Sequence, residues 1–533
     1  MALRERLEGS TIASALAARV TADPDRTYLR TADGDVTFAE VDEQAESLAA
    51  ALAHLGIEPG ERIALVLPAR PEFVVAFFAA AKLGAVVVPL NPELATPELQ
   101  YMLRHSEAAC AVTIEQVGDT DFLQLFEDIM PQLPELRYVV TVGDEDLWHD
   151  DRIFQYEDLM SAGQGRDYEA PVAEPDRCFA LVYTSGTSGK PKGVELSHTN
   201  LLWAAGGTAE ALALHADDRI VGISALFHVH GLAPGLLGAL LSGASIVLHL
   251  GSGARATLGA VERFEATVHF GIPTLFVSEL AALREQERDL ASLRLAVLAG
   301  VPVNVELVDQ VAARMNVPVV TGYSLTETAS IVSMSRPSDS PETRRFTVGA
   351  PIEGMVVDIV ASGESAYDPL PIESVGEIRV KGPGVMLGYY RQPKQTAASF
   401  DERGFFRTGD LGLVDEQGAL HLVGRTKDVI IRSGFNVYPR EVEARIESHP
   451  AVQEVAAVGV ADELLGEAIC ACVVPVEGAI VTDREIVDWC RETLADGKVP
   501  DLVLFVDELP RTDTGHVRRV DLSRAAEAEG RSA

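Results

Sequence analysis

From position 62 the chain reads RIALVLP, a short unbroken apolar run, then PEFVVAFFAAAKLG with apolar residues at helical spacing, then AVVVPL. Strand, helix, strand is the pattern of a parallel unit, because parallel strands are covered on both faces and need not alternate. Apolar runs ending in Gly, Pro, His or Ser recur at RIVGISALFHVHG, ASIVLHL, ATVHFGIPT, LRLAVLAG and VPVVTGYS. Ligands of open α/β sheets collect beyond the carboxyl ends of the strands, so functional side chains are expected at these run ends. After about Gly349 the runs shorten and alternate (VVDIV, GEIRV, ALHLV), which predicts a smaller β-rich subdomain. VEARIESHPAV, EVAAVGV, AICACVVP, DREIVDWCRETL and LVLFVDEL then predict a separate α+β unit.

The expected fold is therefore α/β: a large N-terminal domain of stacked α/β subdomains plus a β-rich subdomain, over residues 1–426, and a small α+β domain over 427–533. The boundary is placed at Lys427, and residues 526–533 are expected to be a frayed tail. Residues 231–250, GLAPGLLGALLSGASIVLHL, are apolar, but the Pro, the glycines and the length suit a buried helix followed by a strand. The N-terminus predicts an amphipathic helix and shows no signal-peptide core. A cytoplasmic protein without an integral membrane segment is expected.

With 533 residues the chain exceeds one ordinary core. Its net charge of -36 disfavours nonspecific nucleic-acid binding. The five Cys are odd in number and hold no CxxC pair, which argues against zinc-site and disulfide frameworks. Cys470 and Cys472 read as filler of an apolar strand. Only seven Lys occur, yet Lys190, Lys192 and Lys427 all stand in motif-like segments. A compact ammonium, not a planar fork, is indicated there.

The strongest of those segments is YTSGTSGKPKGVELSH, residues 183–198, which follows the apolar FALV. Glycines let backbone N–H groups close on phosphate oxygens, hydroxyls add donors, and Lys adds mobile charge. The spacing is not that of a Walker A loop. YTSGTSGKPKG closely resembles the phosphate-loop signature of the adenylate-forming superfamily, which holds acyl-CoA synthetases, luciferases and nonribosomal-peptide adenylation domains. The resemblance extends from about residue 10 to about residue 520.

It implies ATP and Mg²⁺ chemistry on a small-molecule carboxylic acid, with transfer of the acyl group to CoA or to the phosphopantetheine of an acyl carrier protein. Thr184, Ser185, Gly186, Thr187, Ser188, Gly189, Lys190 and Lys192 are then expected on the triphosphate. His228, in LFHVHG, is expected beside the carboxylate and α-phosphate, with His230 lining the acyl tunnel. Gly300, Val301 and Pro302, in LAGVPV, would lie against adenine. In TGYSLTET, Tyr323 would stack on adenine, Thr326 bind phosphate and Glu327 hold the metal. Asp410 is expected on the ribose, with Arg425 on the ribose and phosphate side and Lys427 at the hinge of a small mobile α+β C-terminal domain. Gly434, in SGFNVYPREVE, would line the thiol tunnel. A homodimer is left open.

One position departs from the pattern. The family's C-terminal P-x-T-x-x-G-K appears here as PRTDTGH, so His516 stands where the Lys is expected. Unperturbed imidazole is mostly neutral at pH 7. Loss of one well-placed charge typically costs about 3 kcal/mol, roughly a hundredfold in rate. Three explanations stay open: His516 charged by neighbouring phosphates, slow adenylation or use of another cation, or loss of adenylation. The last leaves transfer from a supplied adenylate or a binding protein, and activation of another oxyanion such as nitrite is also open. GIPTLFVSEL and LFHVHGLAPG, the expected pocket walls, carry no Arg or Lys, which points to a hydrophobic monocarboxylic acid.

Overall fold

The computed structural model describes residues 7–145, 151–172, 174–184, 190–223, 225–249, 251, 253–300, 303–361, 368–433, 435–462, 464–512 and 515–530. It divides into two compact units, one of residues 1–356 with 381–398 and one of 357–380 with 399–533. The first unit holds two large sheets. One has the spatial order Ala350–Pro351, Ser330–Met334, Val319–Leu325, Leu295–Ala299, Val268–Gly271, Arg219–Val221, Ser245–Val247, Thr27–Arg30, Asp35–Thr37. Its six central strands run parallel. The other includes the expected pair Arg62–Leu65 and Val86–Pro89, which are parallel and joined by the helix Pro71–Leu83. That helix buries Phe73, Phe77 and Phe78 completely and ends on Gly84 at φ 69°, a left-handed stop that glycine adopts freely.

The second unit combines the β-rich subdomain with the C-terminal α+β element. Strands Val356–Val360, Gly376–Lys381, Phe406–Val414 and Leu420–Arg425 form a four-stranded sheet. Arg379 is buried there and bound by Asp401 at 2.9 Å. The long hairpin of Val452–Asp462 and Gly466–Pro475 carries Cys470 and Cys472 inward as unbridged, buried residues, as their apolar context predicts.

The expected frayed tail is corrected over residues 526–530; 531–533 lie outside the described residues. A helix runs Arg519–Gly530, and Leu522 and Ala526, four apart, pack on the hairpin with Val458, Val460 and Cys472. Arg519 anchors its start, donating to Glu443 at 2.5 Å and to the Ala457 carbonyl at 2.6 Å. Two small apolar contacts outweigh a polar composition. The apolar 231–250 stretch is a buried helical segment followed by the strand Ser245–Val247. Its first turn, Gly231–Leu237, is π-helical around Pro234, a local irregularity often found at functional sites. No helix of the described residues is long and apolar enough to cross a membrane.

Candidate active site

Strand Cys178–Thr184 delivers Thr184 to the start of the phosphate-loop segment. Its hydroxyl is buried and has no hydrogen-bond partner among the described residues. A buried orphan hydroxyl is costly unless a ligand meets it, which fits a phosphate-binding turn. Ser185, Gly186, Thr187, Ser188 and Gly189 lie outside the described residues, as do Val301, Pro302 and Gly434.

Beyond the loop, two Lys rest on aromatic rings. Lys190 Nζ lies 5.1 Å from the centre of the Tyr101 ring, whose hydroxyl donates to the Pro191 carbonyl at 3.3 Å. Lys192 Nζ lies 4.3 Å from the centre of the Tyr389 ring. Tyr389 in turn donates its phenolic proton to Glu327 Oε1 at 2.7 Å. One tyrosine thus joins the cation and the carboxylate expected on phosphate and metal. The register explains it: Val194 pairs with Tyr389, and Lys192 lies two residues along on the same face. The Met386 N–H donates to the Glu327 carbonyl at 2.8 Å, and Thr396 Oγ1 accepts from the Tyr389 N–H at 2.9 Å.

Sequence reasoning missed Tyr389 and Tyr101. The former is 62 residues from Glu327, and no spacing rule links them; the doublet in GYYRQP is the only local signal. Among the described residues no cluster of three or more His, Cys, Asp or Glu is arranged to hold a metal. Glu327 nonetheless suits Mg²⁺, which ATP sites hold through one or two carboxylates plus the phosphates.

Two of the residues expected on the adenine side, Gly300 and Tyr323, stand near one another. Strands Leu295–Ala299 and Val319–Leu325 pair with Ala299 opposite Gly322, so Gly300 and Tyr323 follow at adjacent strand ends. Gly300 has φ 98°, and among the described residues a Cβ there would meet only Ile272 Cγ2 at 3.4 Å. The left-handed backbone conformation accounts for glycine. Tyr323 is buried, and Thr326 and Glu327 lie in the following 3₁₀ turn Thr326–Thr328.

Both histidines of LFHVHG precede the π-helical turn. His228 packs against Phe227 with ring centres 4.6 Å apart. His230 has its Nδ1 3.3 Å from Ser330 Oγ. Burial, and then the neighbouring His228, push the His230 pKa down to about 4, so its ring is neutral at pH 7. Within the expected pocket wall, His269 and Glu279 form a fully buried pair at 2.8 Å that the apolar reading of GIPTLFVSEL overlooked.

In the second unit Asp410 is opposite Arg425 in the hairpin register, and Arg425 Nε donates to its Oδ1 at 3.0 Å. Burial depresses the Lys427 pKa. His516 is brought into this group: burial first, then the charges of Arg425, Lys427 and Arg511, push its pKa down to about 4. Without an added anion its surroundings favour the neutral ring.

Thr184 ends a strand of one large sheet, and Gly300, Tyr323 and Glu327 stand at or beyond strand ends of the other, an arrangement that suits a nucleotide-dependent ligase. The family model for AMP-binding enzymes matches residues 16–390, and that for the AMP-binding enzyme C-terminal domain matches 441–516. A feruloyl-CoA synthase of Amycolatopsis sp is 34% identical over 95% of this chain and 97% of that protein. The anthranilate CoA ligase AuaEII in complex with anthranoyl-AMP aligns with TM-score 0.88 and 29% identity over 98% of both chains. The O-succinylbenzoate CoA synthetase MenE of Bacillus subtilis, with ATP and magnesium, aligns at TM-score 0.79 and 30% identity over 95% of this chain and 98% of that one. The chain belongs to the AMP-binding, adenylate-forming enzymes. It is an acid–CoA ligase that works through an acyl-AMP and uses ATP, Mg²⁺ and CoA.

Proposed function

We propose that the acid is a largely hydrophobic monocarboxylic acid and that the residues above divide the two half-reactions between them. The observation that carries this assignment is the junction of Lys192 and Glu327 on Tyr389. A triphosphate set there meets a mobile ammonium and an oriented carboxylate at once.

In the first half-reaction Thr184, the 185–189 turn, Lys190, Lys192 and Thr326 position the triphosphate. Tyr323 and Gly300 hold adenine, and Asp410 with Arg425 the ribose. Mg²⁺ on Glu327 would neutralise phosphate charge when bound. His228 holds the acid's carboxylate, which attacks the α-phosphorus in line as pyrophosphate leaves. Positioning and charge stabilisation supply most of the rate. In the second half-reaction the CoA thiolate attacks the acyl carbonyl and AMP leaves. Residues 427–533 act as the mobile domain with its hinge at Lys427, and Gly434 lines the thiol path.

The acid's class is supported by expected pocket walls without Arg or Lys. Relatives at 34% identity are named for ferulate and for indoleacetate from Aromatoleum aromaticum, both ring-bearing acids. Pyrophosphate release with ATP and Mg²⁺ across a panel of monocarboxylic and dicarboxylic acids, with and without CoA, tests the reading. Release with hydrophobic monocarboxylic acids is expected, and release only with dicarboxylic or small polar acids would overturn it.

A further inference from the structure

His230 carries a polar atom for which the chemistry above finds no use. Its Nε2 is buried and has no hydrogen-bond partner among the described residues. The other edge of the ring is fixed by Ser330 Oγ at 3.3 Å, and the ring stands edge-on to Phe270 with centres 5.5 Å apart. Ser330 is fully buried, and His230 Nδ1 is the only acceptor its hydroxyl reaches among the described residues. A buried hydroxyl needs an acceptor. Ser330 therefore donates to Nδ1, and the ring proton sits on Nε2. The unused atom is a buried donor.

The backbone holds this arrangement at some cost. Ala329 has φ 53° and Ser330 φ 118°, a region that residues with a Cβ rarely enter. Thr328 Oγ1 donates to the Ser330 carbonyl at 2.8 Å and pins the segment. Strain of this kind persists where its surroundings over-determine it, and it clusters at ligand clamps. The place is also right. His230 is two residues from His228, Ser330 is three from Glu327, and Phe270 lies near the end of the parallel strand Val268–Gly271. The turn that follows His230 is apolar and buried through Leu237.

We propose that the Nε2–H of His230 reads an oxygen acceptor on the non-reacting part of the acid, so that the substrate is an oxygenated acid carrying a keto, ether or hydroxyl group. The inference rests on the reading that this pocket takes a hydrophobic monocarboxylic acid, and it adds one polar point to that pocket. An apolar pocket discriminates poorly between a group and its hydroxylated analogue. A site with a buried donor rejects the analogue that leaves the donor unpaired. Ser330 is a positioning residue, since it acts through the tautomer.

The test uses stable acyl-adenylate mimics, the adenosine acyl sulfamates of two matched pairs: 3-(4-oxocyclohexyl)propanoate with 3-cyclohexylpropanoate, and 3-(4-methoxyphenyl)propanoate with 3-(4-ethylphenyl)propanoate. Each is titrated calorimetrically into wild type, His230→Leu, His230→Asn and Ser330→Ala. In at least one pair the oxygenated mimic should bind wild type about tenfold more tightly or better. His230→Leu should erase that gap by lowering the oxygenated mimic's affinity relative to its hydrocarbon partner's, His230→Asn should restore part of it, and Ser330→Ala should narrow it. Equal affinity within both pairs for wild type, as when a buried water alone meets Nε2, overturns the proposal. So does a gap that survives in His230→Leu. Failure of every mimic to bind wild type would instead overturn the acid-activating reading, and this inference with it.

Discussion

The cationic residues of the two units are supported in opposite ways. In the first, Lys190 and Lys192 lie over tyrosine rings, and Glu327 is held by a tyrosine hydroxyl. Each charge has its own neutral or complementary support. In the second, Arg425, Lys427 and Arg511 act on the same imidazole, His516. Arg425 also holds Asp410. The first group is set on tyrosines, whereas the second surrounds a buried imidazole with cations that have carboxylates of their own, Asp410 for Arg425 and Glu454 for Arg511. Under the proposed division of roles, a neutral His516 places the burden of phosphate binding on Lys190, Lys192 and Glu327.

The sharpest way to break that comparison is Glu327→Gln. It leaves the fold and the tyrosine contact in place but removes the carboxylate charge. Acid-dependent pyrophosphate release should fall about a hundredfold or more, with a higher Mg²⁺ requirement. A loss under threefold would move the metal site elsewhere. Lys427→Pro probes the other side. Thioester formation should fall about a hundredfold while adenylate formation, followed in a single turnover, stays within about threefold. Equal loss of both would remove the hinge assignment.

His516→Lys sharpens the contrast further. A fixed ammonium should raise adenylate formation by about tenfold, while thioester formation from supplied acyl-AMP stays unchanged. The pH behaviour has a definite sign. A base whose pKa is pushed down to about 4 is neutral above that value, so the His516 ring should show no titration between pH 5.5 and 8 by NMR in the free enzyme. Adding ATP should raise its pKa, because phosphate charge opposes the three cations. An unchanged pKa with ATP bound would separate His516 from the phosphate.

Much of the architecture was legible because parallel strands announce themselves as unbroken apolar runs. RIALVLP and AVVVPL pair as expected, and LRLAVLAG and VPVVTGYS bring Gly300 and Tyr323 to neighbouring strand ends. Asp410 and Arg425, each singled out from its own motif, meet across one hairpin. What stayed hidden depends on pairing between distant segments. Tyr389 reaches Glu327 only through the register of Gly388–Tyr389 on Lys192–Ser197, which no periodicity encodes. The helix Arg519–Gly530 was missed because two docked side chains, Leu522 and Ala526, decide it against its polar composition. The His269–Glu279 pair was missed for a related reason: ten residues apart, they meet only once the helix Pro273–Glu285 folds back on its strand.

Smaller effects test the tyrosine supports themselves. Tyr389→Phe keeps the ring under Lys192 and deletes the donor to Glu327. A hydrogen bond to a charged acceptor contributes about 1.5–3 kcal/mol, so a loss of about tenfold or more in kcat/KM for Mg·ATP is expected. Tyr389→Leu should lose a further few-fold through the cation–π contact. Tyr101→Leu is the gentlest probe. Lys190 is exposed, its ring contact is 5.1 Å, and such contacts contribute about 0.5–1 kcal/mol at exposed sites. The same substitution deletes the hydrogen bond to the Pro191 carbonyl. KM for ATP should rise about two- to fivefold with kcat nearly unchanged, because the tyrosine orders Lys190 before binding and makes no contact specific to the transition state. Tyr101→Phe should recover the ring contribution and leave only the loss at Pro191. A fall in kcat instead would mean that Lys190 is positioned for the chemical step and not merely gathered for the encounter with phosphate.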